Sequence, residues 1–194
     1  MNVLLIYYTG TFNTRYVSKM LEKKFSDNGH SVSLYEIDPL KTERLDFEGY
    51  DLIGLGYPIY GFNAPSRFLK FIKRQKFPKG LKTFIYKNSG ETLHANDASS
   101  LYVVRKLKRC KADIKNEYHF IMPYNIHFKF EEPLVNEMLR MDDLLLDILA
   151  KEVLNDIPNI KKYKFIPKYE GLKFGYEVLD NNWHFVVNKE GNQS

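Results

Sequence analysis

Short apolar runs alternate with segments of helical period along the first 160 residues, and that alternation leaves such a chain few ways to fold. Residues 3–8 (Val3, Leu4, Leu5, Ile6, Tyr7, Tyr8) form an unbroken apolar run, the pattern of a parallel strand covered on both faces. From Asn13 the period changes: Val17, Met20, Leu21 and Phe25 share one helical face, and Asn28-Gly29 supplies a stop. Residues 31–37 read as a second strand, 40–49 are weakly patterned, and 51–57 read as a third strand. Past Pro58, the residues Phe68, Leu69, Phe71 and Ile72 predict a helix closed by Pro78 and Gly80. A fourth strand follows over 83–87, a helix around Leu101, Val104 and Leu107, and a fifth strand over 118–122. The longest helix is predicted over about residues 133–156, with Val135, Met138, Leu139, Leu145, Leu146, Leu149 and Val153 inward. Five strands alternating with helices predict an α/β class, a three-layer doubly wound five-stranded parallel sheet with right-handed crossovers.

Composition narrows the function classes. No run reaches the roughly 18 apolar residues of a membrane helix, and the first residues read as a strand rather than a signal peptide. Cys110 is the only cysteine, which excludes an internal disulfide, a cysteine-ligated cluster or a dithiol pair. A cytoplasmic protein with no membrane contact is the expectation. Lys and Arg outnumber Asp and Glu by 29 to 24. The basic runs Lys70/Lys73/Arg74/Lys76/Lys79 and Arg105/Lys106/Lys108/Arg109/Lys111 fall on two predicted helix tails, where cations complement the dipole and are solvated. They lack the interleaved aromatics of a nucleic-acid surface, so no nucleic-acid partner is expected.

In a doubly wound sheet, ligands bind beyond the carboxyl ends of the strands at the switch point, which directs attention to three loops. The first, Thr9-Gly10-Thr11-Phe12-Asn13-Thr14, joins strand to helix. Backbone N–H groups at a helix start, a positive dipole end and four hydroxyl or amide side chains make an anion site, specifically one for phosphate. The alternative is that Thr and Asn here only cap the helix. Neither a P-loop nor a G-x-G-x-x-G dinucleotide loop fits, since there is no Lys and only one Gly.

With Tyr8 in front, this loop resembles the phosphate loop of flavodoxins, which reads T-G-T-G-N-T or S-x-T-G-N-T. The continuation Arg15-Tyr16-Val17 and the later stretch Tyr57-Pro58-Ile59-Tyr60-Gly61-Phe62-Asn63-Ala64-Pro65 are most similar to the flavodoxin half of bacterial flavodoxin–ferredoxin fusion proteins. The resemblance covers about residues 1–160 and implies strand order 2-1-3-4-5 and FMN as cofactor. Thr9 to Thr14 would hold the phosphate. Pro58, Ile59, Tyr60, Gly61 and Phe62 would lie along the isoalloxazine ring, with Tyr60 or Phe62 stacking and a peptide at Gly61 reorienting on reduction. The plain alternative for that stretch is a Pro/Gly turn. Asn88, Ser89 and Gly90, in the loop Lys87-Asn88-Ser89-Gly90-Glu91, would take the pyrimidine end. Lys87 would either place a cation near the flavin or be solvated, and Tyr124, Asn125 and His127 would border the site. Phe12 stands where most of the family has glycine. FMN held with the Phe12 ring turned outward and FMN held weakly or not at all both remain open.

Residues 161–194 break the rhythm with Tyr163, Phe165, Tyr169, Phe174, Tyr176, Trp183 and Phe185, and read as a C-terminal extension. In the fusion proteins a ferredoxin-like module follows at this place, with cysteines carrying 4Fe–4S clusters. The segment from Trp183 to Lys189 resembles the lead-in to it, so the chain is either part of a longer protein or a relative without clusters. The resemblance implies an electron-transfer protein or domain serving an acidic redox partner or a ferredoxin-like module. An FMN-dependent reductase of a small acceptor such as a quinone, and a binding module that has lost FMN, are the alternatives.

Overall fold

The computed structural model describes residues 1–41, 43–90, 94–123 and 131–160. The predicted extension 161–194 lies outside them, as do Glu91, Tyr124, Asn125 and His127. In chain order the elements are β1 (Asn2–Tyr7), α1 (Asn13–Asp27), β2 (Ser31–Glu36), β3 (Leu52–Pro58), α2 (Ser66–Arg74), β4 (Lys82–Ser89), α3 (Leu101–Cys110), β5 (Asp113–Ile121) and α4 (Glu132–Leu154). A 3₁₀ segment, His94–Ser100, leads into α3. All strand pairs are parallel, in the order β2-β1-β3-β4-β5. The sheet is therefore the predicted doubly wound one.

The period of two sorts β1 between two cores. Leu4 and Ile6 join Ile53, Leu55, Tyr57 and Ile85 under α2 and α3, through Phe68, Ile72, Val103 and Leu107. Val3, Leu5 and Tyr7 join Phe84, Tyr86 and Phe120 under α1 and α4, through Val17, Leu21, Phe25, Leu146 and Leu149. Each large side chain so buried contributes about 1.5–3 kcal/mol. Gly56 in β3 makes room for a neighbour: a Cβ there would lie 2.3 Å from the Tyr86 ring. Tyr86 is buried with its hydroxyl 2.8 Å from Ser18 Oγ of α1, so its polar end is satisfied inside the core.

Some boundaries differ from the sequence pattern: α2 already ends at Arg74, ahead of Pro78 and Gly80. β4 runs on to Ser89, and β5 starts at Asp113 rather than near Tyr118. The first half of β5 is polar, with Asn116 and Glu117 buried, and the partners that make this tolerable lie elsewhere in the chain. On α4, Val135 and Met138 are half-buried, while Leu146, Leu149 and Val153 reach the core. Past α4 the chain returns to the open edge of β5, where Asn159 pairs in parallel with Asn116.

Candidate functional site

The strand order reverses at β1, so the loops after β1 and β3 flank the switch-point crevice and the loop after β4 borders it. The first loop leaves β1 with the Tyr8 N–H donating to the Gly56 carbonyl at 3.0 Å. Phe12 then takes a left-handed conformation, φ 74°, and its carbonyl accepts the first helical bond from Tyr16 N at 2.9 Å. This is a glycine's backbone geometry adopted by phenylalanine, an outlier for a bulky residue. No side chain caps α1, so the simple capping role for this loop is not what the structure builds.

The Phe12 ring turns outward, 62% exposed, with the Arg15 guanidinium carbon 4.7 Å from its centroid. Arg15 grips Glu36, at the end of β2, with both sides of its fork: Nε to Oε2 at 2.8 Å and Nη2 to Oε1 at 2.6 Å. The Tyr7 hydroxyl donates to the same Oε2 at 2.9 Å. The hydrogen bonds from Arg15 hold the Glu36 carboxyl below the usual carboxylate range, and burial, aided by Glu36, pushes the Tyr7 phenol up to about 12. Sequence reading did not assign this Tyr7–Glu36–Arg15–Phe12 chain. Its only local signal was an arginine in the first turn after the loop.

The polar side chains of the loop divide. Thr14 Oγ1 is buried and donates to Asn88 Oδ1 at 2.7 Å, and Asn13 Nδ2 donates to the Pro123 carbonyl at 2.9 Å. Both therefore tie the loop to its neighbours. Thr9 Oγ1 is buried with no hydrogen-bond partner, which costs free energy unless a ligand satisfies it. Thr11 is half-buried between them. Gly10 is exposed, and a Cβ on it would lie 2.1 Å from the Tyr60 hydroxyl, so the second loop touches the first where side-chain bulk is missing.

That second loop is a tight reversal. Tyr60 and Asn63 exchange backbone bonds, N to O at 2.9 and 3.1 Å, across Gly61 (φ 51°) and Phe62 (φ 60°). Positive φ at both central residues is the mark of a type I′ turn, for which Gly61 is suited and Phe62 is not. Pro58 is the buried last residue of β3, and Ile59 N donates to the Asn88 carbonyl at 2.8 Å. Tyr60 remains 41% exposed.

Asn88 thus joins all three loops, through its side chain to Thr14 and its carbonyl to Ile59, and is itself buried. Ser89 Oγ lies 2.7 Å from His119 Nε2 and accepts from Asn96 Nδ2 at 3.2 Å, and half-buried Gly90 follows. Lys87 is neither solvated nor a free cation at the crevice, as sequence reading had it. It is 2% exposed, 2.7 Å from Glu117 Oε1, and donates to the carbonyls of Asn96 and Asp97 at 3.0 and 3.1 Å. Ser100 donates to the same Glu117 oxygen, with Tyr57 Oη 2.8 Å from Ser100 Oγ. The buried pair pins the 3₁₀ segment beneath the third loop.

Compared by sequence, the chain matches no family model and no curated protein. Compared by structure, it is similar to a short-chain flavodoxin associated with a non-canonical PDU bacterial microcompartment, at TM-score 0.60 and 15% identity, over 81% of this chain and 99% of that one. It is similar to the Streptococcus pneumoniae TIGR4 flavodoxin at TM-score 0.56 and 16% identity, over 80% and 99%. It is also similar to the general stress protein 14 of Treponema denticola, solved in complex with FMN, at TM-score 0.55 and 14% identity, over 79% and 99%. The sheet order, the crossovers and these similarities together give this chain the flavodoxin-like fold.

Proposed function

We propose that this chain is an FMN-binding electron-transfer module. The observation that carries the reading is the first loop: it keeps a glycine-like backbone at Phe12, leaves α1 uncapped and holds the Thr9 hydroxyl buried without a partner. Those residues fit a phosphate, because the outward ring of Phe12 leaves the N–H groups of residues 10–14 clear of its own bulk. In this reading Thr9, Gly10, Thr11, Phe12, Asn13 and Thr14 form the phosphate loop, with Asn13 and Thr14 fixing its shape. Pro58, Ile59, Tyr60, Gly61 and Phe62 lie along the isoalloxazine ring, and Asn88, Ser89 and Gly90 take its pyrimidine end. Bound FMN would supply the one-electron chemistry, and the protein would supply orientation and exclusion of water. No helix among the described residues is long and apolar enough to cross a membrane. A cytoplasmic location is part of the proposal and rests on the flavodoxin resemblance.

The test is a visible absorption spectrum of the purified protein, before and after adding FMN and removing the excess. Flavin bands that stay with the protein support the reading. A colourless protein that retains no added FMN overturns it in favour of a flavodoxin-fold binding module without the cofactor.

A further inference from the structure

The fold brings the two basic runs together, and they then stop looking like ordinary solvated helix tails. Residues 66–79 and 101–111 hold eleven of the chain's 29 Lys and Arg and no Asp or Glu. The remainder of the chain, with eighteen Lys and Arg against all 24 Asp and Glu, is therefore net acidic. Eight of these eleven lie on α2 and α3 themselves (Arg67, Lys70, Lys73, Arg74 and Arg105, Lys106, Lys108, Arg109), on the opposite side of the sheet from α1 and α4.

Between the two helices runs a groove of about 560 Å³. On α3 its wall is Tyr102, Arg105, Lys106 and Arg109, the i, i+3, i+4, i+7 stripe of a single helical face. On α2 it is Leu69, Lys70 and Lys73, with buried Ile72 beneath. A second hollow of about 630 Å³ shares Lys70, Lys73 and Lys106 and adds Arg44, Arg74 and Lys76. Among the described residues no carboxylate lines either hollow, and Lys70, Lys73, Lys106 and Arg109 form no ion pair. An aliphatic and aromatic floor between cationic rims is the complement of an amphipathic segment with apolar anchors and acidic flanks.

We propose that the α2/α3 groove docks an acidic amphipathic helix of a partner protein. Charge complementarity selects that occupant. Residues 161–194 of this chain carry six Lys against four Asp and Glu and are unsuited to a basic groove. A nucleic-acid strand would use the cations but not the aliphatic floor, since among the described residues Tyr102 is the one aromatic lining the groove. Among the described residues, none that lines the groove belongs to the loops after β1, β3 or β4, so the docking surface is separate from the crevice. This docking goes beyond the FMN reading and does not depend on it.

The experiment is a fluorescence-anisotropy titration of the full chain into a labelled helical peptide of about 18 residues, with Leu at every third or fourth position and Glu dominating elsewhere. It is run at about 50 and about 300 mM NaCl, with and without FMN. Saturable binding, weakened at the higher salt and lost by about tenfold or more when each Leu is replaced by Ser, is expected. Lys73→Glu with Arg109→Glu should weaken it by at least about tenfold, whereas Lys19→Glu with Lys23→Glu, the same charge change on exposed α1 positions, should change it by less than about twofold. Tyr102→Ala should weaken it while leaving its salt dependence unchanged. Matching thermal melts establish that the variants are folded. Absence of binding, equal binding of the Ser-substituted peptide, equal loss in the two double variants, or tighter binding of an oligothymidylate would each overturn the proposal.

Discussion

The hydroxyl of Tyr60 occupies the space that a side chain on Gly10 would need, 2.1 Å from the ideal Cβ position, and so couples the loop after β1 to the loop after β3. Tyr60 is half-exposed, and its ring has room to swing aside. Gly10→Ala should therefore lower the urea midpoint only slightly, by less than about 1 kcal/mol of stability. FMN retention should fall much more, because the displaced ring enters the crevice. Removing the hydroxyl as well, in Gly10→Ala with Tyr60→Phe, should recover most of the retention. A retention assay beside a urea melt separates the two effects.

Phe12 bears a backbone conformation that costs a non-glycine residue about 1–2 kcal/mol. Phe12→Gly removes that strain but gives the unfolded chain more freedom, so the net change in stability should be small. FMN affinity should hold or rise, since the loop's N–H groups are unchanged. Phe12→Val, β-branched at the same φ, should lower stability by about 1–3 kcal/mol and loosen FMN. Calorimetric FMN titrations and thermal melts of the two variants check this; equal affinities would show that the Phe12 backbone does not shape the site.

Removing Lys87 takes away the counter-charge 2.7 Å from the buried Glu117 carboxylate. Lys87→Met should cost about 3–5 kcal/mol. Lys87→Met with Glu117→Gln should cost clearly less than Lys87→Met alone, as chemical denaturation of both would show. Because the pair holds the 3₁₀ segment, amide exchange in residues 96–100 should accelerate in either variant more than in β1.

Asp142 carries the pH dependence. Its Oδ1 accepts from Ile121 N at 3.2 Å, its Oδ2 is buried without a partner, and burial raises the carboxyl to about 7. Between the unfolded carboxylate value of about 4 and that folded value, the native state holds a proton that the unfolded chain has released. Its contribution to stability is therefore full below about pH 4 and is lost as pH rises toward 7, by at most about 1.4 kcal/mol per pH unit. Asp142→Asn should flatten this slope and be more stable than the parent at pH 8. Denaturant midpoints measured from pH 4 to 8 test it, and parallel profiles for the two proteins would rule Asp142 out.

How much was legible in advance differs from residue to residue. The strand at Val3, the helix faces at Val17/Leu21/Phe25 and Phe68/Ile72, and the loop from Thr9 to Thr14 could be read from the sequence because they rest on periodicity and turn chemistry within a few residues. The start of β5 could not. Glu117 belongs in a strand interior only because Lys87 waits there, 2.7 Å away, and Lys87 looks like a solvated lysine until Glu117 arrives. The same holds for Arg15, whose role depends on Glu36 at the end of β2, and for Thr14 and Asn88, 74 positions apart, which close the site from within.

The order and type of the elements, the two apolar faces of the sheet and the chemical character of the first loop are written in the chain itself, since each follows from the spacing of neighbouring residues. Tertiary structure alone decided which polar groups meet: the left-handed turn at Phe12 braced by Arg15, the buried Lys87–Glu117 pair, and the union of two distant basic runs into one groove. Apolar burial needs only a pattern, because the hydrophobic effect has no direction. A buried charge or hydroxyl needs a particular partner at hydrogen-bond distance, and only the folded chain supplies it.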